Sequence, residues 1–256
     1  MKGGTLDIES YPGTWRTFAN NIYEAKLMRE EKPIMPASFS FKPYGRGGII
    51  TRGVWEYKNQ KAFMKDLWRI FDENDFLIGH NVKKFDHLQS NTFFTQFGLP
   101  APSKVSEYHD TMLVAKKNFR LPSYSLKYCL RFFGIGSKME TGGEALWFAC
   151  ESGDPKAQRL MLRYNQNDTV ETEKLFRFFV ANGWTPKPGA KYYVPGEGCI
   201  RCGEENMESR GSNVPRAEGL VSGYMCKSCG KRNYTAPHTP WPSSRTIGTR
   251  GQLATR

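Results

Sequence analysis

Near the start of the chain, Leu6-Asp7-Ile8-Glu9 alternates apolar and acidic residues. Successive side chains of a β-strand point to opposite faces, so Asp7 and Glu9 would project from one side and Leu6 and Ile8 from the other. Two carboxylates that close repel one another unless a cation lies between them, or unless the strand face is simply solvated. Matching acids elsewhere decide between these. Asp86 lies in "LIGHNVKKFDHLQS", in the first turn of a helix that follows a short buried strand, where an acid also complements the helix dipole. Tyr164 and Asp168, in "YNQND", are four residues apart and stack on one helix face. A second chemically able set comes later. Cys199/Cys202 and Cys226/Cys229 are two Cys-x-x-Cys pairs separated by 23 residues, the spacing class of a zinc ribbon. Two redox dithiols are the alternative, disfavoured because neither pair stands between a strand and a helix.

The elements that must position these residues follow from periodicity. Strands are expected at about 4–9, 37–43 and 48–56, the last two separated by the turn-like "YGRGG", an antiparallel start to a sheet. Phe63, Leu67, Ile70 and Phe71 repeat at helical spacing over about 60–73, and the apolar "DFLIGH" that follows reads as a strand. Next come a helix around 84–97, a strand near 104–109, and helices beginning near Thr111 and Ser125, the last stopped by Gly134. Asp154-Pro155 pairs an N-cap acid with proline at the first helical position, and its helical pattern runs to Asn182-Gly183. Strands alternating with helices make the fold class α/β. Beyond Gly183, "GWTPKPGAKYYVPGEG" has the composition of a linker, and "SSRTIGTRGQLATR" has no periodicity.

With 256 residues, 39% of them apolar, and 17 Phe and 12 Tyr, the chain can build one full-sized core plus a small appendage, which excludes a disordered protein. No run approaches the length of a membrane span and the N-terminus lacks the apolar stretch of a signal peptide, so a cytoplasmic location and no membrane partner are expected. In that compartment paired cysteines read as metal ligands sooner than disulfides. Cys129 and Cys150, among apolar neighbours, read as buried thiols. The net charge of +12 favours a polyanion, above all nucleic acid. Residues 182–256 carry eleven Lys and Arg against five Asp and Glu, half of that net charge, interleaved with Tyr192, Tyr193, Tyr224 and Tyr234. Such a composition suits phosphate pairing and base stacking, with a protein partner as the alternative.

Asp7-x-Glu9, then Asn81-x-x-x-Phe85-Asp86, then Tyr164-x-x-x-Asp168 resemble, in order and approximate spacing, the three motifs of the DEDDy branch of the ribonuclease-H-like (DnaQ-like) 3′-5′ exonucleases. The proofreading domains of family B DNA polymerases belong to that branch. The resemblance covers roughly residues 3–181 and extends to the connecting segment "HDTMLVAKKNFRLPSYSLKYCLRFFGIGSK". Tyr164 separates this branch from the histidine branch. The resemblance implies a mixed sheet flanked by helices and hydrolysis of phosphodiester bonds by a two-metal-ion mechanism. Hard oxygen ligands suit Mg²⁺ or Mn²⁺. By resemblance, Asp7, Glu9 and Asp168 would hold the first ion, Asp7 would bridge to the second, and Asp86 would complete the shell directly or through water. Tyr164 would orient the attacking water. Asn81 and Phe85 resemble positioning residues at the substrate's end, with Phe85 equally readable as core. Lys83 and Lys84 lie well for a phosphate contact, or for a solvated helix start.

The expectation is a ribonuclease-H-like exonuclease domain over 1–182, a linker over 183–198, a zinc ribbon over 199–234 with one structural Zn²⁺, and a flexible polar tail over 235–256. The expected activity is 3′-5′ exonuclease, dependent on two Mg²⁺ or Mn²⁺, on DNA more than RNA and preferably at single-stranded 3′ ends. The alternatives are a nucleic-acid-binding adaptor with a weak or inactive nuclease fold, and a structure-directed endonuclease.

Overall fold

The computed structural model describes residues 1–16, 29–189, 194–196, 198–200, 204–216 and 219–236. Cys202, Tyr192, Tyr193 and the tail from 237 onward lie outside the described residues. The chain divides into two compact units, Met1–Trp184 and Thr185–Arg256.

In the first unit, β1 (Gly3–Tyr11), a short ribbon of β2 (Thr14–Arg16) and β3 (Arg29–Lys32), β4 (Met35–Pro43) and β5 (Ile50–Gly53) precede α1 (Gln60–Asp72) and β6 (Phe76–Gly79). Then come α2 (Asp86–Gln96), β7 (Glu107–Asp110), α3 (Thr111–Asn118), α4 (Leu126–Phe132), α5 (Ala145–Glu151) and α6 (Pro155–Ala181). The central sheet has the order β5-β4-β1-β6-β7. β1, β4 and β5 pair antiparallel, as the turn between the second and third expected strands requires, while β6 joins β1 and β7 joins β6 in parallel. A parallel neighbour needs a crossover, and α2 supplies the one between β6 and β7.

The alternation along β1 sets both faces of the sheet. Leu6 and Ile8, opposite Phe41 and Phe39 of β4, enter a core with Phe63, Leu67 and Phe71 of α1 and Phe93 and Phe94 of α2. On the other face Asp7 and Glu9 stand opposite Ser40 and Ser38. The long α6 lies against this face, and small polar side chains permit its approach. Ser38 Oγ donates to Asn165 Oδ1 at 3.2 Å, and the Thr169 hydroxyl lies 3.3 Å from Ser40 O. The Asp154 carboxylate accepts from Lys156 N and caps α6, with Pro155 in its first turn.

Local chemistry explains where elements depart from the pattern. The strand over 48–56 is cut short because Gly53 N donates to Glu56 Oε2 at 2.6 Å and the chain enters a 3-10 turn, Val54–Glu56. The helix expected from about 84 begins at Asp86, because the Asn81 carbonyl first accepts from Lys84 N and Phe85 N. Asn81 has φ 73°, a left-handed conformation that asparagine tolerates better than most residues. Cys129 and Cys150 are buried, as read.

The second unit contains β8 (Met207–Ser209), β9 (Val214–Arg216), β10 (Gly219–Val221), β11 (Gly223–Cys226) and β12 (Arg232–Tyr234). They form a three-stranded sheet in the order β12-β11-β8 and a separate β9–β10 hairpin, all antiparallel. Among the described residues no helix is long and apolar enough to cross a membrane.

Candidate active site and cysteine cluster

Three elements deliver acids to one place. Carboxylate oxygens of Asp7 and Glu9 on β1 and of Asp168 on α6 all lie within 4.8 Å of one another. Asp86 arrives at the N-terminus of α2, 5% exposed, where the nearby backbone N–H groups of Ile8 and of Asp86 itself pull its carboxyl down against the burial that raises it. Tyr164, one helical turn before Asp168 and also 5% exposed, packs edge-on against Trp147 with ring centroids 5.8 Å apart. Asn81 forms the turn between β6 and α2, and Lys83 and Lys84 are exposed beside it. Phe85 is 44% exposed, which corrects its reading as core: it precedes the first helical residue and its ring faces solvent.

The acids raise one another. Burial pushes the Asp7 carboxyl up to about 7, with the Asp168 charge adding and Lys138 and Asn165 opposing. Glu9 and Asp86 are held well above the ordinary carboxylate value, first by burial and then by the charge of Asp7. Burial also raises Asp168, against the pull of Lys138. Burial, together with Glu9, Asp168 and Asp7, raises the Tyr164 phenol and keeps it protonated. Asp168 Oδ1 is buried without a well-formed hydrogen bond, although the Tyr164 phenol interacts with the same carboxylate. Buried, mutually repelling, under-satisfied oxygens fit a hard divalent cation such as Mg²⁺ or Mn²⁺.

A sequence model of the RNase_H superfamily matches residues 41–180. The chain belongs to the RNase_H superfamily. The family B DNA polymerase from the hyperthermophilic archaeon Pyrobaculum calidifontis is similar in structure, with a TM-score of 0.53 and 14% identity over 72% of this chain and 25% of the polymerase chain. This chain therefore spans about a quarter of that polymerase, and the likeness is one of fold. No curated protein sequence matches it.

Three residues that the sequence did not single out complete the candidate site. Lys138, between α4 and α5, places Nζ 2.7 Å from Asp168 Oδ2 and 4.8 Å from the centre of the Tyr164 ring. Asn165 Nδ2 donates to Asp7 Oδ2 at 2.6 Å and to Asp7 O at 3.1 Å, so α6 grips the strand acid directly. Asp110 caps α3 and also accepts Asn81 N at 3.0 Å and Lys83 N at 3.2 Å, which fixes the turn that leads to Asp86. Asn165 was within reach of sequence reasoning, since it lies three residues before Asp168 on the same helix. Lys138 carries no local signal.

The raised carboxyls give a signed pH prediction. Without divalent ions these groups hold protons more tightly folded than unfolded. Their stabilising contribution is full below the Asp value of 3.8 and, for Asp7, is lost as pH rises through about 7. Mg²⁺ or Mn²⁺ is therefore expected to raise the melting temperature more at pH 8 than at pH 5, measured by differential scanning fluorimetry. The ion-induced shift is the readout because His80, which burial holds at about 4, has the opposite dependence and loses stability as pH falls. An equal shift at both pH values would remove these acids as the ion-binding set.

In the second unit the Sγ atoms of Cys199, Cys226 and Cys229 lie within 4.8 Å of one another. Cys199 and Cys229 Sγ are 3.7 Å apart. The edge of a sulfur tetrahedron with Zn–S bonds of about 2.3 Å is about 3.8 Å. Matching backbone bonds leave the first cysteine of each pair: Cys199 N donates to Glu204 O at 2.8 Å and Cys226 N to Lys231 O at 2.9 Å. Buried Asn233 on β12 accepts Ile200 N at 3.0 Å and places Nδ2 3.5 Å from Cys199 Sγ, supporting a thiolate. The soft donors fit Zn²⁺; Cys202, the fourth expected ligand, lies outside the described residues.

Proposed function

We propose that this chain is a metal-dependent 3′-5′ exonuclease of the DEDDy type, acting on nucleic acid and preferentially on single-stranded DNA 3′ ends, with a C-terminal zinc ribbon. The observation that carries the reading is the convergence of Asp7, Glu9 and Asp168 within 4.8 Å, beside buried Asp86 and Tyr164. Membership of the RNase_H superfamily supports a nuclease-type fold, and the end polarity rests on the resemblance of the three motifs to the DEDDy branch.

Bound at this cluster, two Mg²⁺ or Mn²⁺ ions would supply an activated water and offset charge on the phosphate oxygens and the departing 3′ oxygen. Asp7, Glu9 and Asp168 would hold one ion, Asp7 would be shared with the second, and Asp86 would complete its shell. The Tyr164 phenol, kept protonated, orients the attacking water. Lys138 steadies Asp168 and puts a fixed positive charge at the edge of the cluster, where negative charge develops in the reaction. Exposed Phe85 offers a ring for the terminal base, Asn81 shapes the approach, and Lys83 and Lys84 face the phosphates.

The test is incubation with 3′-labelled and 5′-labelled DNA and RNA oligomers, with and without Mg²⁺ or Mn²⁺. Stepwise shortening from the 3′ end that requires the ion is expected. Internal cuts would point to an endonuclease, and binding without cleavage to an adaptor. Tyr164→Phe keeps the ring against Trp147 but loses the hydroxyl, so the rate is expected to fall by roughly 10² to 10⁴ with melting unchanged. A variant with full activity would remove Tyr164 from the reaction.

A further inference from the structure

Strand periodicity in the second unit separates two faces with different chemistry. Cys226 and Tyr224 alternate with Met225 and Gly223 along β11, and Tyr224 pairs with Asn233 of β12. One face of the sheet therefore leads to the cysteine cluster through Cys226 and Asn233. The other carries Gly223 opposite Tyr234 and Met225 opposite Arg232, with Glu208 of β8 across from Met225.

Mostly on that second face lies a pocket of about 520 Å³ lined by Arg210, Arg216, Arg232, Met225 and Tyr234, with Tyr224 also reaching it and no carboxylate among the described lining residues. The Arg216 guanidinium lies over the Tyr234 ring at 4.0 Å, a stacked arrangement that holds a planar donor group in a fixed orientation. Arg210 is tethered by an ion pair with Glu208 at 3.1 Å. Gly223 keeps the floor low: a β-carbon there would stand 3.5 Å from both Tyr234 and Val214, in ordinary contact.

We propose that this face is a binding site for single-stranded nucleic acid, with the arginines on successive phosphates and the Arg216–Tyr234 stack accepting a base. Three guanidinium groups in one pocket, that of Arg210 shared with Glu208, suit a chain that carries several negative groups. An apolar and aromatic floor calls for a flat ring between them, a combination that a nucleotide chain supplies and inorganic phosphate does not. The cysteines are not part of the described lining, so their role here is to hold the sheet. The site belongs to the second unit and goes beyond the exonuclease reading.

The test measures anisotropy of a fluorescein-labelled oligothymidylate with the full chain, across a salt series and without added divalent ion, so that cleavage does not run. The triple variant Arg210→Gln, Arg216→Gln, Arg232→Gln is expected to weaken binding and to flatten the slope of log affinity against log salt by about 2 units, at roughly 0.7 per phosphate contact. Gly223→Val is expected to weaken binding with no change of charge, by filling the pocket. A control removing Lys58, Lys61 and Lys65, exposed on and before α1, should retain the slope. Unchanged zinc content shows that each variant keeps its sheet. An unchanged slope in the triple variant, an equal loss in the control, or full affinity in Gly223→Val would overturn the proposal. So would loss of an acidic protein partner with nucleic-acid affinity intact. Failure of cleavage leaves this readout untouched, so the two readings stand or fall separately.

Discussion

Asp7→Ala is expected to reduce cleavage to background while raising the melting temperature of the ion-free protein at pH 8. Asp7 is the acid on which the others converge: its charge raises Glu9, Asp86 and Tyr164, and Asp168 raises Asp7 in turn. Removing it relieves the repulsion and leaves Asn165 Nδ2 a partner, since Asp7 O accepts from the same atom at 3.1 Å. At pH 5 the gain should be small, because a carboxyl pushed up to about 7 is already protonated there. The loss of activity should exceed the roughly 10² to 10⁴ expected for Tyr164→Phe, since a shared ligand goes rather than a water-orienting hydroxyl. Asp168→Ala should also abolish cleavage, but with less gain in stability, because Lys138 Nζ loses its partner at 2.7 Å. A folded Asp7→Ala protein with near-normal turnover would sink the assignment.

The acids were legible because each sits in a local pattern that its element enforces. Asp7 and Glu9 follow from alternation along one strand, and the spacing of Tyr164 and Asp168 from one turn of α6. Capping residues marked the start of α6 as directly, through Asp154 and Pro155. What the sequence did not show depends on contacts between distant segments. Lys138 reaches Asp168 from a loop with no periodicity, and Asp110 looks like an ordinary helix cap until the turn at Asn81 and Lys83 is folded onto it. Short elements were also silent. α5 has seven residues and strands β8, β9, β10 and β12 have three each, too few for a period to repeat. Phe85 was ambiguous for another reason: an aromatic beside a buried acid suits core and surface alike, and only the turn before α2 decides that it faces solvent.

Cys226→Ala is expected to empty the zinc site and unfold the second unit while the first unit still cleaves. The unit's strands are three or four residues long, and among its described residues the buried apolar side chains are Cys199, Val221 and Cys226. So small a core cannot offset the entropy of ordering the chain, whereas structural zinc in such modules contributes on the order of 10 to 16 kcal/mol. Cys226 is fully buried, ends β11 and begins the second knuckle, so its loss removes a ligand and the register of the sheet together. Elemental analysis should find one zinc per chain in the wild type and less in the variant, and limited proteolysis should cut the variant beyond Trp184. Cleavage at saturating substrate should persist, because Asp7, Glu9, Asp86, Tyr164 and Asp168 all lie within Met1–Trp184. Oligothymidylate binding should lose the same salt slope as the arginine triple variant, since the pocket shares β11 and β12 with the cysteines. A variant that keeps its zinc and resists protease would show that the cysteines do not hold this unit together, and a wild type without zinc would return Cys199/Cys202 and Cys226/Cys229 to the redox reading.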